Sequence, residues 1–208
     1  MTTNIVFDFG AVLFTWRPHR LMAAHFPARA GTDAAARALS AAIFHHEDWQ
    51  AFDRGALELG EVVERTRVRL DLPQAGLQDL MAGIPAHLSP IPETVALLER
   101  LRRRRQANAD VRLFFLSNMP APFARKLERR HAFLDWFDGG VFSGDVHRAK
   151  PQPEIFELLS ARHALDPDRT VFLDDMDVNV QAARAHGWHA HQFESAAQIE
   201  PQLMRHLP

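Results

Sequence analysis

The stretch IVFDFGAVLF, residues 5–14, decides the fold because it ends an apolar run with a single carboxylate. Residues 5–7 have the composition of a buried strand, Asp8 follows them directly, and Gly10 stands two residues later. A buried carboxylate without a partner is costly in free energy or takes up a proton. We therefore expect Asp8 at the carboxyl end of a strand, facing a counter-charge.

Further short apolar runs along the chain follow the same pattern. They are VRLFFL at 111–116, GGVF at 139–142, TVFL at 170–173 and the weaker HAHQF at 189–193. Stretches with helical spacing separate these runs, and this alternation is typical of a parallel sheet with crossover helices on both faces. The sequence therefore predicts an α/β fold, a Rossmann-like three-layer α/β/α core built on a parallel sheet.

The segment between the first and second predicted strands is far longer than a crossover connection needs. It contains several stretches with helical spacing and no run typical of a strand. We interpret residues 16–89 as a small helical domain inserted on the crevice side of the sheet. Residues 1–15 and 90–208 then form the core.

The composition is that of a globular protein and excludes several classes of site. Of 208 residues, 47% are apolar, the formal net charge is −2 and there is no cysteine, which excludes disulfides and thiolate metal sites. Neither a nucleic acid nor a membrane is an expected partner, because no basic excess and no apolar span of membrane length is present. We expect a cytoplasmic protein, since no signal-peptide pattern is found. The oligomeric state stays open.

Polar residues follow each strong strand at its carboxyl end, where open α/β sheets place their ligand crevice. These residues are Asp8, Ser117, Asn118, Ser143, Asp145, Asp174 and Asp175, and Lys150 follows the third strand. Carboxylates of this kind can hold one magnesium ion, while a hydroxyl, an amide and an ammonium can neutralise phosphoryl oxygens. A carboxylate can also attack phosphorus to form an aspartyl-phosphate. The set predicts phosphate chemistry.

With these motifs in order, the chain resembles the haloacid dehalogenase (HAD) superfamily of hydrolases. The matching segments are VFDFGAVL at 6–13, LSN at 116–118, KPQPEIF at 150–156 and VFLDDMDVN at 171–179. The inserted helices are similar to the helical cap of the first cap class. The resemblance is closest to a branch with DLG or DFG in the first motif, which includes an α-D-glucose-1-phosphate phosphatase.

The resemblance implies a Mg²⁺ site at the first and fourth motifs. Asp8 would be the nucleophile and a metal ligand, and the backbone carbonyl of Gly10 would be a second ligand. Asp175 would be the main ligand of the fourth motif, with Asp174 binding directly or through water. Asn179 would support that loop.

The resemblance also implies the residues that bind the phosphoryl group. Ser117 and the backbone of Asn118 would contact its oxygens. Lys150 would pair with the Asp8 carboxylate and with the transferring phosphoryl group. Only Lys126 and Lys150 are lysines in a chain that otherwise uses arginine. Lys150 stands where the resemblance implies a compact positive charge beside Asp8 and the phosphoryl group.

Gly10 departs from the family pattern, because typical family phosphatases carry there a second aspartate that acts as acid and base. Such help is worth ~10²- to 10⁴-fold in rate. Water or a cap residue can replace it, or the substrate can have a good leaving group, such as an anomeric sugar phosphate. Gly10 can also serve a turn or a close backbone approach.

Two alternatives stay open beside a Mg²⁺-dependent phosphatase acting on a small phosphorylated metabolite, with a sugar phosphate such as glucose 1-phosphate preferred. One is a metal-independent 2-haloacid dehalogenase. Dehalogenases of this fold carry a tyrosine at the Gly10 position, whereas this chain has no tyrosine and has adjacent Asp174 and Asp175. The other is a non-catalytic protein that binds a phosphorylated ligand or a protein partner.

The insertion contains two stretches of functional interest. His45 to Trp49 resembles a metal cluster, but adjacent histidines on a helix point about 100° apart, so we prefer a helix end with solvated polar residues. The segment Asp53–Gly55 is a candidate for substrate selection, since caps close over the crevice and exclude water.

Overall fold

A single parallel sheet forms the centre of the fold, as the computed structural model of residues 2–208 shows. Its strands are β1 (Thr3–Phe7), β2 (Val111–Ser117), β3 (Gly139–Phe142), β4 (Thr170–Asp174) and β5 (His189–Gln192), in the order β3-β2-β1-β4-β5. All of the pairings are parallel. The predicted Rossmann-like sheet and the positions of all five predicted strands are confirmed.

The segment between β1 and β2 is helical, as its periodicity predicts. Its helices are α1 (Pro18–His25), α2 (Asp33–Phe44), α3 (Glu47–Asp53), α4 (Leu59–Leu70) and α5 (Gln74–His87). Their inner faces bury a continuous apolar set that includes Ile43, Trp49 and Leu77. This packing, rather than intrinsic propensity, holds such short helices in place.

Helices cover both faces of the sheet. The core helices are α6 (Pro92–Asn108), α7 (Ala121–Arg130), α8 (Ser143–Val146), α9 (Pro153–His163), α10 (Asp177–Ala185) and α11 (Ala196–Met204). Alternation along β1 sends Ile5 and Phe7 into the cluster that contains α6 and α11, and Val6 into the cluster that contains α9 and α10. The three-layer core is therefore confirmed by two separate apolar layers.

The chain enters and leaves the helical insertion through two segments that lie side by side. The Thr15 amide donates to the Ser89 carbonyl at 2.8 Å, and the Ile91 amide donates to the Leu13 carbonyl at 2.8 Å. An isolated antiparallel bridge joins Phe14 to Pro90. The boundary between core and insertion at residues 15/16 and 89/90 stays a prediction. It falls in these two paired segments.

The insertion touches the core over the carboxyl ends of the strands. The Ser143 hydroxyl, at the start of α8, donates to the backbone carbonyl of Asp53, and His147 Nδ1 donates to the Arg54 carbonyl at 2.9 Å. These bonds hold the end of α3 against the core. Within residues 2–208, no helix combines the length and the apolar character needed to cross a membrane.

Candidate active site

The polar strand ends meet at one edge of the sheet, as parallel strands require. Asp8 follows β1 directly, Ser117 ends β2, and Asp175 follows the last residue of β4. Because β1 pairs with β2 on one side and with β4 on the other, these residues become neighbours. They line a cavity of about 240 Å³ between the core and the insertion.

We call the core side of this cavity the polar floor. It consists of Asp8, Gly10, Ser117, Asn118, Lys150 and Asp175, all of which line the cavity. Asp174 lies behind them and is fully buried. The structure therefore brings together every residue that the sequence assigns to the site, although it does not test the role of each.

Lys150 is the central charge of the polar floor. Its Nζ lies 2.9 Å from Asp8 Oδ1 and 2.6 Å from Asp174 Oδ2, and its side chain is almost completely buried. Burial acts to lower the pKa of Lys150, but the carboxylates of Asp174 and Asp8 raise it above its ordinary value. The ammonium is therefore a fixed positive charge at the carboxyl ends of β1 and β4.

The Asn118 side chain positions the Lys150 loop. The Lys150 amide donates to Asn118 Oδ1 at 2.8 Å, and Asn118 Nδ2 donates to the Lys150 carbonyl at 2.9 Å. Two reciprocal bonds of this kind fix both the distance and the direction between the end of β2 and the loop. The sequence assigned only the backbone of Asn118, so this side-chain contact is an addition.

Asp8 is buried, and its charged form is only partly compensated. Burial raises the pKa of Asp8 to about 6, the nearby Lys150 ammonium acts to lower it, and the Asp174 carboxylate raises it further. The ammonium lies at ion-pair distance but off the hydrogen-bond direction. Within residues 2–208, Asp8 Oδ1 therefore lacks an aligned hydrogen-bond partner. This oxygen is buried, and the Lys150 ammonium supplies its counter-charge.

Asp175 completes a group of three carboxylates. Burial raises the pKa of Asp175 to about 7, and the Asp8 and Asp174 carboxylates raise it as well. Oxygen atoms of the three residues all lie within 4.8 Å of one another, and the described chain contains no second group of this kind. Because one lysine faces three carboxylates, the cluster has the charge and the hard oxygen donors that suit a divalent cation.

Asp174 differs from its two neighbours because hydrogen-bond donors occupy both of its oxygens. Oδ1 accepts from the Met176 amide at 2.8 Å and from Asn179 Nδ2 at 3.0 Å, while Oδ2 accepts from Lys150 Nζ. The expectation that Asn179 supports the fourth-motif loop is confirmed. Direct metal binding by Asp174 stays a prediction, and its geometry suits a residue that positions Lys150.

The backbone conformation at position 10 does not require glycine, contrary to the interpretation that Gly10 serves a turn or a close backbone approach. Its φ is not positive, and the positive φ in this turn, 56°, belongs to Ala11. A Cβ atom placed on Gly10 would meet nothing closer than the Cβ of Trp16 at 4.0 Å. The position therefore has room for a side chain, and the missing aspartate has no steric cause.

The insertion supplies the opposite wall of the cavity, which we call the apolar roof. It consists of Trp16, Phe44, Trp49, Ile84 and Leu88, and the core adds Met119 and Phe123 at its edge. The Phe44 and Trp49 rings meet edge to face, with centroids 4.6 Å apart. Aromatic side chains such as Trp16 and Trp49 are expected from sequence to be packing residues. They do pack, but they also form the cavity wall.

Asp53 is the one carboxyl that the insertion adds to the cavity lining. Burial raises its pKa well above the ordinary value; Arg54 and a hydrogen bond from Trp49 act to lower it, and Asp8 acts to raise it. The sequence singled out the segment Asp53–Gly55 for its position in a cap and gave no sign of this burial. Only the folded insertion reveals it.

Two other polar stretches take no part in the group of three carboxylates formed by Asp8, Asp174 and Asp175. Asp145 forms an ion pair with Arg125 at the surface. His46 Nδ1 accepts from the Asp48 amide at the start of α3, so His46 caps a helix, as the preferred interpretation of this stretch requires. His45, by contrast, lines the cavity.

Comparison with known proteins supports this reading of the fold. A HAD family enzyme from Bacteroides thetaiotaomicron, solved with magnesium and inorganic phosphate, superposes with a TM-score of 0.71 at 19% identity, covering 94% of this chain and 96% of that one. The L-2-haloacid dehalogenase of Xanthobacter autotrophicus gives a TM-score of 0.68 at 18% identity, with coverage of 99% and 83%. At such identities the likeness shows the fold alone.

Sequence comparison assigns the family. The chain is 28% identical to the sesquiterpene phosphatase astK of Aspergillus oryzae over 182 residues, which is 88% of this chain and 85% of that protein. The family model described as haloacid dehalogenase-like hydrolase matches residues 4–187. The chain therefore belongs to the haloacid dehalogenase-like hydrolase family and is a hydrolase.

Proposed function

We propose that the protein is a Mg²⁺-dependent phosphomonoester hydrolase that uses Asp8 as its nucleophile. The observation that carries the proposal is the buried Lys150 ammonium between Asp8 and Asp174, beside an oxygen of Asp8 that lacks an aligned hydrogen bond. The ammonium pairs with one oxygen of Asp8 and so favours the charged, nucleophilic form of the carboxylate in a buried site. Asp8 Oδ attacks phosphorus, the bond to the leaving oxygen breaks, and water later releases phosphate from the aspartyl-phosphate.

The remaining floor residues bind the phosphoryl oxygens. Lys150 places its ammonium beside Asp8, and the Ser117 hydroxyl and the Asn118 backbone lie at the end of the neighbouring strand. A bound Mg²⁺, held by Asp8, Asp175 and the Gly10 carbonyl, with Asp174 as a further candidate, would neutralise the phosphoryl charge. Lys150 and the bound ion would then present positive charge to the phosphoryl oxygens both before and after the attack by Asp8.

The apolar roof favours an apolar leaving group. A sugar has hydroxyl groups that need partners when they are buried, whereas five roof side chains offer aromatic and aliphatic surface. Met176 and Val178, which are 48% and 52% exposed, add apolar side chains to an adjoining cavity of about 460 Å³ whose other lining is largely polar. The similarity to a sesquiterpene phosphatase supports the same preference, so we propose a prenyl or similarly apolar phosphate as the substrate.

The sugar phosphate expected from the sequence stays a second candidate. Ser40, His45 and Asp53 also line the cavity and could bind hydroxyl groups. An anomeric oxygen leaves readily, which would offset the absence of an acid at Gly10. The metal-independent dehalogenase is less favoured by the site, because three neighbouring carboxylates with a single lysine need a further cation.

Release of inorganic phosphate from a substrate panel tests the proposal. The panel contains a C15 prenyl monophosphate, glucose 1-phosphate, p-nitrophenyl phosphate and a 2-chloro acid, each with Mg²⁺ and with a chelator. We expect Mg²⁺-dependent phosphate release that is fastest from the prenyl phosphate. Chloride release without metal would support the dehalogenase instead, and a clear preference for glucose 1-phosphate would restore the sugar phosphate.

A further inference from the structure

The polar floor contains the nucleophile but no free group to protonate the leaving oxygen. Gly10 has no side chain, the Asp174 oxygens are occupied by Lys150, Asn179 and a backbone amide, and Asp175 belongs to the carboxylate cluster. We propose that Asp53, on the insertion, is the general acid and base of the reaction. This inference rests on the proposed phosphatase function and assigns a catalytic residue that the sequence pattern lacks.

The position of Asp53 supports this role. It is the last residue of α3 and lines the same cavity as Asp8, Ser117 and Lys150, so its carboxyl approaches the reacting centre from the side opposite the polar floor. A leaving oxygen attached to a phosphoryl group on the floor points away from Asp8 in an in-line displacement. It therefore points toward the wall that contains Asp53.

The structure fixes Asp53 at both its backbone and its side chain. The Ser143 hydroxyl donates to the Asp53 carbonyl, and His147 Nδ1 donates to the next carbonyl in the chain, that of Arg54. Gly55 follows with a φ of 68°, and a Cβ there would lie 2.9 Å from the Gly144 carbonyl oxygen, so the turn packs directly on α8. The Trp49 indole donates to the carboxyl. A group held this firmly is prepositioned for proton transfer.

The surroundings of Asp53 also favour a carboxyl that holds a proton. Burial is the largest effect on its pKa and raises it, while Arg54 and the Trp49 hydrogen bond offset only part of that rise. The Asp8 carboxylate acts to raise the pKa of Asp53 as well, as a like charge does. A protonated Asp53 and an ionised Asp8 give the division of roles that the reaction needs.

The proton balance is simple. Asp8 attacks phosphorus, the bond from phosphorus to the leaving oxygen breaks, and the Asp53 proton passes to that oxygen, so that a neutral alcohol leaves. Asp53 is then a carboxylate. It takes a proton from the water that attacks the aspartyl-phosphate, which releases phosphate, frees Asp8 and returns Asp53 to its acid form.

Leaving-group dependence is the measurement that distinguishes a general acid from a structural residue. An alkyl phosphate needs its leaving oxygen protonated, whereas p-nitrophenolate leaves without help. Formation of the aspartyl-phosphate, which kcat/KM reports, is the step that needs the acid, so Asp53→Asn should lower kcat/KM for an alkyl phosphate by ~10²- to 10⁴-fold and that for p-nitrophenyl phosphate only a few-fold. Because Asp53 is also the base of the second step, kcat should fall for both esters. Equal losses of kcat/KM on both substrates would overturn the proposal.

Asp48→Asn is the matched control. Asp48 is also a buried aspartate of α3, but it pairs with Arg65 and His46 and does not line the cavity. Its substitution should change both substrates by the same factor. His45→Gln tests the rival donor in the cavity wall. If that variant shows the selective loss on alkyl phosphates, while Asp53→Asn does not, Asp53 is not the acid.

Gly10→Asp provides a second test, and its measurement in the wild-type background does not depend on the folding of Asp53→Asn. In the wild-type background it should give little gain on alkyl phosphates, because an acid is already present, and in Asp53→Asn it should restore most of the lost rate. A gain of ~10²-fold or more in the wild-type background would contradict the proposal. Failure of the phosphatase function itself is a different result, since the wild type would then release no phosphate even from p-nitrophenyl phosphate.

Discussion

The polar floor and the apolar roof face each other across one cavity, yet they are built on different principles. The charged floor residues follow strand ends or lie in a loop beside them, and Lys150 is fixed there by the Asn118 side chain and by ion pairs with Asp8 and Asp174. The roof is made of aromatic and aliphatic side chains that pack on one another. In the proposed function this difference separates two tasks: the floor binds and transfers a phosphoryl group, and the roof selects what is attached to it.

The two sides also differ in what they contribute to stability. Burial and mutual repulsion raise the pKa values of Asp8 and Asp175, so their charged forms weaken the folded state until a cation neutralises them. Roof contacts such as the edge-to-face pair of Phe44 and Trp49 add about 0.5–1.5 kcal/mol beyond the burial of their area. Catalytic chemistry is thus placed on the costly side of the cavity.

The largest expected effect comes from the floor. Asp8→Asn removes the nucleophile and should lower kcat by roughly 10³- to 10⁶-fold for every phosphate ester, because no covalent intermediate can form. Circular dichroism should show an unchanged fold, since asparagine has nearly the same shape. If Asp8→Asn retained activity toward one ester only, the division between a common floor and a selective roof would be wrong.

The sequence predicted the floor well for a physical reason. Strands buried on both faces are continuous apolar runs, so the polar residue that ends each run marks the edge where a crevice forms. Asp8, Ser117 and Asp175 were found in this way. The link from Lys150 to Asp174 could not be found, because spacing along the chain does not determine which carboxylate an ammonium meets.

The roof was beyond sequence reasoning for a different reason. The helical period identifies which side chains of α2, α3 and α5 are buried, but burial inside the insertion and burial against a cavity give the same pattern. Trp49 and Phe44 therefore looked like ordinary packing residues. The segment Asp53–Gly55 was a candidate for substrate selection, but the sequence could not show that Asp53 is buried in the cavity wall and bonded to α8.

A second prediction concerns the buried ammonium of Lys150, which pairs with Asp8 and Asp174. Lys150→Met leaves Asp8 and Asp174 buried without their cation partner, which should lower the free energy of unfolding by about 3–5 kcal/mol when no metal is present. Urea denaturation measures this loss. Lys126→Met is the matched control, because Lys126 is the other lysine of the chain and is exposed. Equal stability of the two variants would contradict the role of the buried ion pair.

A third prediction concerns pH and metal. The folded-state pKa values of about 6 for Asp8 and about 7 for Asp175 exceed the ordinary 3.8. Between about pH 4 and pH 7 the folded state therefore binds more protons than the unfolded state, and the free energy of unfolding falls as pH rises. With a chelator present, the two raised pKa values set an upper limit of about 7 kcal/mol on this loss.

Thermal denaturation across this pH range, with and without Mg²⁺, measures that effect. The metal should remove most of the decline by neutralising the carboxylates, and Asp175→Asn should flatten the curve without metal. If the free energy of unfolding rose from pH 5 to about pH 7.5 in chelator, ionisation of the floor carboxylates would not destabilise the folded state, contrary to this account.

The smallest expected effect comes from the roof. Phe44→Leu removes an aromatic ring that packs on Trp16 and Trp49, with centroids 5.2 Å and 4.6 Å away. We expect KM for a C15 prenyl monophosphate to rise about three- to tenfold, since up to about 1.4 kcal/mol of apolar contact is lost. The rate with p-nitrophenyl phosphate should hardly change. An equal effect on both esters would mean that the roof does not select the substrate.

Trapping of the covalent intermediate tests the central claim most directly. The wild type, mixed with a phosphate ester and Mg²⁺ and quenched in acid during turnover, is digested and analysed by mass spectrometry. We predict a phosphorylated peptide that contains residues 5–14 and is absent from Asp8→Asn. Phosphate release by the wild type with no phosphorylation of that peptide, or with phosphorylation elsewhere, would contradict the assignment of Asp8 as nucleophile.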